Sequence, residues 1–196
     1  WADLPILTED IERIEVVRGP SSASHGSNSF YGVINIISRD AADQHDTSVS
    51  LTGGHAADAL VRLGHAGGNF DYRMSLGYRS DRGLDSTILN DQSVTRVFNF
   101  RGNYRPATSD SLDVQWGSSD GVYGLGIEGR PEDAFRDTRA KSDFQLLSWL
   151  HVWPSGDETK LTLSRAARSS EDPYICVDSE ACQGKVIGKT RTEGFT

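Results

Sequence analysis

Residues 70–79, FDYRMSLGYR, alternate without an error: Phe70, Tyr72, Met74, Leu76 and Tyr78 fall on one face, and Asp71, Arg73, Ser75, Gly77 and Arg79 on the other. A period of two is the signature of a β-strand with two unlike faces, because successive side chains of a strand point to opposite sides. The same alternation runs through Phe98, Phe100, Gly102 and Tyr104, and through Leu112, Val114 and Trp116. Further strands are predicted at 47–54, 59–66, 144–153, 159–165 and 185–192, which makes about eight antiparallel strands.

The connections alternate in length. The links at 67–69, 106–110 and 154–157 are tight, those at 80–94, 118–140 and 169–184 are long, and 55–58 is a short exception. Tight turns on one rim and long loops on the other are the habit of membrane β-barrels, whose strands of ~10 residues cross an apolar band ~25 Å tall. A soluble two-layer β-sandwich also alternates. The pattern leaves both architectures open. Composition removes others: no run approaches the ~20 apolar residues that a membrane helix needs. A net charge of -8 without a basic patch argues against nucleic acid as a partner.

The first forty residues follow another rule. Thr8 is placed to cap a short helical turn carrying Glu9 and Asp10. Ile14, Val16 and Val17 read as a strand stopped by Gly19-Pro20, and 21–26 as a polar turn. The strand 30–38, FYGVINIIS, carries Val33, Ile34, Ile36 and Ile37 on both faces, so cover on both sides is expected. The chain starts at Trp1 without a visible export signal and stops inside a predicted strand, which reads as a fragment.

Four elements in order, Ile11-Glu12-Arg13-Ile14-Glu15-Val16, Arg18-Gly19-Pro20, Gly26-Ser27-Asn28 and Gly32-Val33-Ile34-Asn35-Ile36-Ile37, resemble the C-terminal half of the plug domain of TonB-dependent outer-membrane receptors. The resemblance implies a mainly β fold: part of a small mixed α/β plug at 1–42, then at 43–196 about eight strands of a 22-stranded transmembrane barrel that the plug fills. It also implies active import of a scarce ligand, an iron–siderophore complex first among them. The implied partners are outer-membrane lipid and the TonB energy-transducing complex, which acts through an N-terminal box that this chain does not include. His25 stands where relatives often have an aromatic residue and Tyr31 where many have a second glycine. Ser24, His25 and Asn28 become candidates to face the ligand. Glu12, Arg13, Glu15 and Arg18 become candidates for ion pairs between plug and wall.

Sixteen arginines against four lysines, several of them (Arg73, Arg79, Arg101, Arg105) on polar strand faces, would line a lumen where guanidinium groups can grip plug carboxylates. Tyr123, Phe135 and Tyr174 in the long connections are candidate ligand-facing aromatics. Cys176 and Cys182, with five residues between them, fit no C-x-x-C motif. Their shared polar loop favours a disulfide over two free thiols, adding roughly 2 kcal/mol at best and requiring an oxidising compartment. Gly124 to Gly129 spells G-x-G-x-x-G, but Arg130-Pro131 follows where a dinucleotide fingerprint needs a helix, so a loop is expected instead of a nucleotide site. The five histidines show no metal-ligand spacing, and no catalytic constellation stands out, so neither a cofactor nor an enzyme is predicted. The rival readings are a secreted β-sandwich binding module and an extracellular hydrolase.

Overall fold

The computed structural model describes residues 4–19, 31–85, 88–176 and 184–195. Among the described residues, ten strands form two antiparallel sheets. The small one pairs β1 (Ile11–Arg18) with β2 (Gly32–Ser38). The large one runs in chain order through β3 (Ser48–Thr52), β4 (Ala56–His65), β5 (Phe70–Asp81), β6 (Ser93–Ala107), β7 (Asp110–Leu125), β8 (Arg136–Val152), β9 (Glu158–Cys176) and β10 (Gly184–Phe195). Each neighbour is the next strand in sequence, and β3 and β10 are the two edges of an unclosed sheet. This is a partial β-barrel wall, not the two face-to-face layers of a sandwich.

The distribution of polarity across the wall decides what kind of barrel it is. On β5, Asp71, Arg73 and Ser75 are buried, whereas Phe70, Leu76 and Tyr78 on the opposite face are more than 40% exposed. Asn99 and Ser119 are buried on the same face as Arg73, while Val114, Trp116, Leu147, Leu161 and Leu163 are exposed on the other. A water-soluble sheet hides its apolar face; this one hides the polar face and presents the apolar one. From Phe70 to Tyr78 the outer face is apolar for roughly 26 Å along the strand at ~3.3 Å per residue. That length traverses most of the ~25 Å band of a membrane barrel even when the strand is tilted.

Aromatic rings gather at the tight-turn end of this band. Phe70 lies edge-on to Tyr104 at 6.4 Å, and His151 sits 5.7 Å from Trp149 and 4.5 Å from Trp153. Rings that are apolar in body and polar at one tip suit a membrane–water boundary. Trp149 Nε1 and His151 Nδ1 both reach Asp110 Oδ1, at 3.0 and 2.8 Å, which satisfies a carboxylate placed beside the apolar band.

The wall strands extend further than the alternation predicts. β8 begins at Arg136 rather than near 144, and β9 continues to Cys176 rather than stopping near 165. In these extensions the outer face becomes polar, with ion pairs Lys141–Asp120 (3.1 Å), Arg165–Asp143 (2.9 Å) and Lys189–Glu171 (2.9 Å). A strand wet on both faces loses the period-two signal while its ladder of backbone hydrogen bonds goes on. Much of what reads as long loop is therefore strand beyond the membrane band.

Two expectations for the first forty residues change. The turn at Thr8–Asp10 is a single 3₁₀ turn with Leu7 at the cap position; Thr8 Oγ1 reaches Glu9 Oε2 at 3.2 Å instead of capping. The described residues do not cover the two-faced strand on both sides: Ile34 is 48% exposed and its neighbours Ile14 and Val16 are 53% and 62% exposed. The β1–β2 hairpin is seated on the wall through its base, at the Ile11–Ser38 end, so the apolar side chains towards its tip lack cover from the described residues.

Candidate functional site: the seat on the inner polar face

Residues 4–10 before β1, and 38–44, which run from the last residue of β2 onward, lie on the polar face of the wall. Asp10 is fully buried there. Arg62 of β4 donates to Asp10 Oδ1 through Nε (3.1 Å) and Nη2 (2.8 Å), a two-pronged charge-assisted contact. Arg73 of β5, also fully buried, donates to the Arg39 carbonyl (2.9 Å), Gln44 Oε1 (2.8 Å) and Asn99 Oδ1 (2.8 Å). Arg101 of β6 reaches the Ser38 carbonyl (2.8 Å), Asp40 (3.3 Å) and Asp113 (2.8 Å). Asn103 donates to both oxygens of Asp40, and Asn99 donates to the Pro5 carbonyl at 3.3 Å.

Register explains the convergence. Arg73 stands opposite Arg101, and Ser75 stands opposite both Arg62 and Asn99, so three adjacent strands present their polar residues to one patch. Like charges this close need anions and carbonyls between them, and Asp10, Asp40, Asp113 and the carbonyls of 38–39 supply these. Glycines allow the approach: a Cβ at Gly64 would lie 1.9 Å from the Gln44 carbonyl oxygen, and one at Gly117 2.4 Å from that of Pro5.

The arginines of the polar faces thus divide into two roles. Arg73 and Arg101 hold the seated segments. Arg79 pairs with Asp58 (2.7 Å) and Arg105 with Asp71, both within the wall. The ion pairs expected from β1 are arranged differently: Arg13 bonds Glu12 and Glu15 on its own strand, Asn35 adds a bond to Glu15 at 3.2 Å, and Arg18 closes β1 opposite Gly32. The bond from Arg13, then that from Asn35, holds the Glu15 carboxyl below the usual glutamate range. These side chains are half-exposed on a strand whose tip leaves the wall, which is why the wall contacts fall to Asp10 and Asp40 instead.

Above the seat, a cleft of about 260 Å³ lies between residues 4–11 and the wall. Leu7 and Ile11 line one side, with Asp58, Arg79, Thr95 and Tyr123 on the other. Tyr123, one of the expected ligand-facing aromatics, is on this cleft, its hydroxyl 3.4 Å from Thr95 Oγ1. Phe135 is elsewhere, 49% exposed beside Ile127 and Pro131 on the β7–β8 connection. The backbone of Tyr174 is in β9, and its side chain lies outside the described residues, as do Ser24, His25, Asn28 and the Cys176–Cys182 pairing.

The G-x-G-x-x-G stretch serves to join two connections. Gly124 N donates to the Gln92 carbonyl (2.7 Å), Asn90 N to the Gly126 carbonyl (3.2 Å) and Glu128 N to the Ile88 carbonyl (2.8 Å), while Leu89 and Ile127 form a β-bridge. A Cβ at Gly124 would lie 2.4 Å from Asn90 Oδ1, and Gly126 takes φ 113° with the Ala134 carbonyl close by. Asn90 Nδ2 pins the arrangement through the Arg136 carbonyl at 3.1 Å. Replacing Asn90 with alanine is expected to speed amide exchange in both connections together, roughly tenfold for a lost pair of hydrogen bonds. Exchange followed by mass spectrometry checks this, and loosening of one connection alone would contradict the clasp.

No protein-family model matches the chain. It is 28% identical over 144 residues to the ferric enterobactin receptor of Pseudomonas aeruginosa, an alignment covering 74% of this chain and 17% of that protein. It is 43% identical over 127 residues to the vitamin B12 transporter BtuB of Vibrio vulnificus, covering 59% of this chain and 21% of the relative. It is 27% identical over 124 residues to the probable TonB-dependent siderophore receptor PirA of Acinetobacter baumannii, covering 63% and 14%. The chain therefore spans about a fifth or less of the length of these relatives, all of them named as receptors or transporters rather than enzymes.

Proposed function

We propose that this chain, a relative of the TonB-dependent outer-membrane receptors, is the part of such a receptor where the plug is seated on the first strands of the barrel. In this reading residues 1–42 are plug, 43–196 are wall, and the apolar outer face lies in the lipid of the bacterial outer membrane. The complete receptor imports a scarce ligand, an iron–siderophore complex, by coupling to the TonB energy-transducing complex through an N-terminal box. The carrying observation is the inverted sheet: a buried polar face that grips residues 4–10 and 38–44 through Arg62, Arg73 and Arg101, backed by an exposed apolar face. A filled barrel in lipid needs both features, and a soluble module needs neither.

Ligand contacts are assigned to Ser24, His25 and Asn28 of the plug and to Tyr123, Phe135 and Tyr174 of the wall and its connections, with Cys176 and Cys182 bonded in the oxidising exterior. A corrinoid is the second cargo class, favoured by the 43% identity to the vitamin B12 transporter. The test is uptake by intact cells of radiolabelled ferric siderophores and cobalamin, with and without the gene. Deletion should abolish energy-dependent uptake of one of them, and an uncoupler should do the same. Uptake of every probe unchanged by deletion would overturn the reading.

A further inference from the structure

Register gathers four cations on the outer face of the wall. Lys141 of β8 and Arg191 of β10 both stand opposite Ser169 of β9, and one step further along the strands Arg139 and Lys189 both stand opposite Glu171. With strands ~4.8 Å apart and ~3.3 Å per residue, the four positions mark a rectangle of roughly 10 by 7 Å with the small Ser169 side chain in one side of it. The side chains of Lys141, Lys189 and Arg191 are 64%, 66% and 71% exposed, and Arg139 is exposed too. Lys141 meets Asp120 (3.1 Å), Lys189 meets Glu171 (2.9 Å) and Arg191 meets Glu193 (3.4 Å). An ammonium carries three donors and a guanidinium five, so one carboxylate apiece leaves donors for a further anion. Glu171 is the carboxylate on which Lys189 acts first, with Arg139 and Lys141 adding to it. One row nearer the apolar band, Asp143 and Glu193 are both held by Arg165, at 2.9 and 2.7 Å.

We propose that this rectangle binds the phosphate of a membrane lipid in the leaflet on the long-connection side, with the lipid's acyl chain in the groove below it. Depth selects a lipid. Lys141 lies ten residues up β8 from His151 of the aromatic cluster at the tight-turn boundary, a height of roughly 23 Å at ~3.3 Å per residue and ~45° tilt, against a band ~25 Å tall. The cations therefore stand at the opposite boundary, where headgroup phosphates lie. Between them and the band, a groove of about 560 Å³ is lined by Gln145, Leu147, Leu163, Arg165 and Phe195, with the Arg165 guanidinium 6.0 Å above the Phe195 ring. An acyl chain in that groove continues the apolar band and brings its phosphate to Ser169. There Lys141 and Arg191 approach from either side and the Ser169 hydroxyl can donate a third bond. Further wall strands join the sheet at its edges and the hairpin sits on the other face, so this patch stays open to lipid. The inference rests on the barrel reading of the outer face and is independent of the cargo.

The test is native mass spectrometry of the full-length protein released from detergent micelles that contain phosphatidic acid or phosphatidylcholine. Phosphatidic acid should be retained roughly tenfold more strongly than phosphatidylcholine, and less so as salt is raised. Lys141→Gln combined with Arg191→Gln should weaken its retention roughly 25-fold, at about fivefold per cation. The charge-preserving pair Lys141→Arg with Arg191→Lys should keep it. Ser169→Glu, which sets a carboxylate between the cations, should weaken it as the neutral pair does. The heat-modifiable folded fraction reads the barrel separately. Three results would overturn the site while leaving the barrel standing: equal retention of the two lipids, folded neutral variants that hold phosphatidic acid as tightly as wild type, or displacement of the lipid by inorganic phosphate alone. A protein with no heat-modifiable form in lipid would overturn the barrel reading and this site with it.

Discussion

In the full-length protein, Asp10→Ala should cost about 3–5 kcal/mol of the free energy that holds the β1–β2 hairpin on the wall, the penalty for leaving a buried charge without its partner. Arg62 and Arg73 both face Asp10, with side chains 14% and 0% exposed, and neither can turn to bulk water when the carboxylate is gone. Asp10→Asn keeps the shape and one acceptor, so it should lose less. The penalty should shrink when the guanidinium groups are removed as well: a variant with Asp10→Leu, Arg62→Met and Arg73→Met should recover much of the stability, because an apolar set of similar volume avoids the desolvation of all three charges. Denaturant unfolding followed by trypsin cleavage in β1 reads the effect. Asp10→Ala as stable as wild type would mean that the hairpin is held by something other than this seat.

The second large effect lies on the opposite face. Leu76→Arg puts a charge near the middle of the apolar outer band, where a barrel loses about 2–4 kcal/mol for arginine at mid-bilayer depth. Leu76 is 47% exposed and its cross-strand neighbour Phe98 packs on Trp116 at 5.0 Å, so the new side chain gains no anionic partner nearby. Assembly into the outer membrane, measured as the heat-modifiable folded fraction, should fall by at least tenfold. In a water-soluble protein the same substitution at a half-exposed surface position would be nearly neutral or improve solubility. Only the second substitution separates the candidate architectures, since a soluble fold would not penalise a charge at an exposed position, whereas the first reports on the seat itself.

The strands were legible in the sequence because lipid on one side and a polar interior on the other enforce alternation, as on Phe70 to Arg79. Which face lies inside was not legible from alternation itself, because a sandwich uses the same pattern with the opposite burial. The four-part likeness at 11–37 supplied the direction. The ends of β8 and β9 were missed where both faces become wet and the hydropathy signal fades, even though pairing continues through Arg139–Glu171. The seat was half legible. Arg73 and Arg101 stand out as arginines at inward positions, but Asp10 read as an ordinary acid in the first turn of a helix, and Asp40 and Gln44 carried no signal in the sequence. Their partners lie 29 to 63 residues away in the chain, and only closing those loops brings them together. The charges of β1 show the converse: among the described residues Glu12, Arg13 and Glu15 bond one another along their own strand, so a charged strand in the sequence does not by itself name its partner.

Site-directed spin labelling of β9 in the full-length protein in lipid vesicles tests the inside-out wall most directly. Labels at positions 161 and 163, where leucines 53% and 55% exposed now stand, should be relaxed by oxygen dissolved in the bilayer and shielded from a water-soluble nickel chelate. Labels at 162 and 164 should lose the oxygen effect, giving an accessibility that oscillates with a period of two. Accessibility of 161 and 163 to the chelate, or shielding of both positions from oxygen and chelate alike as under a second protein layer, would contradict the account.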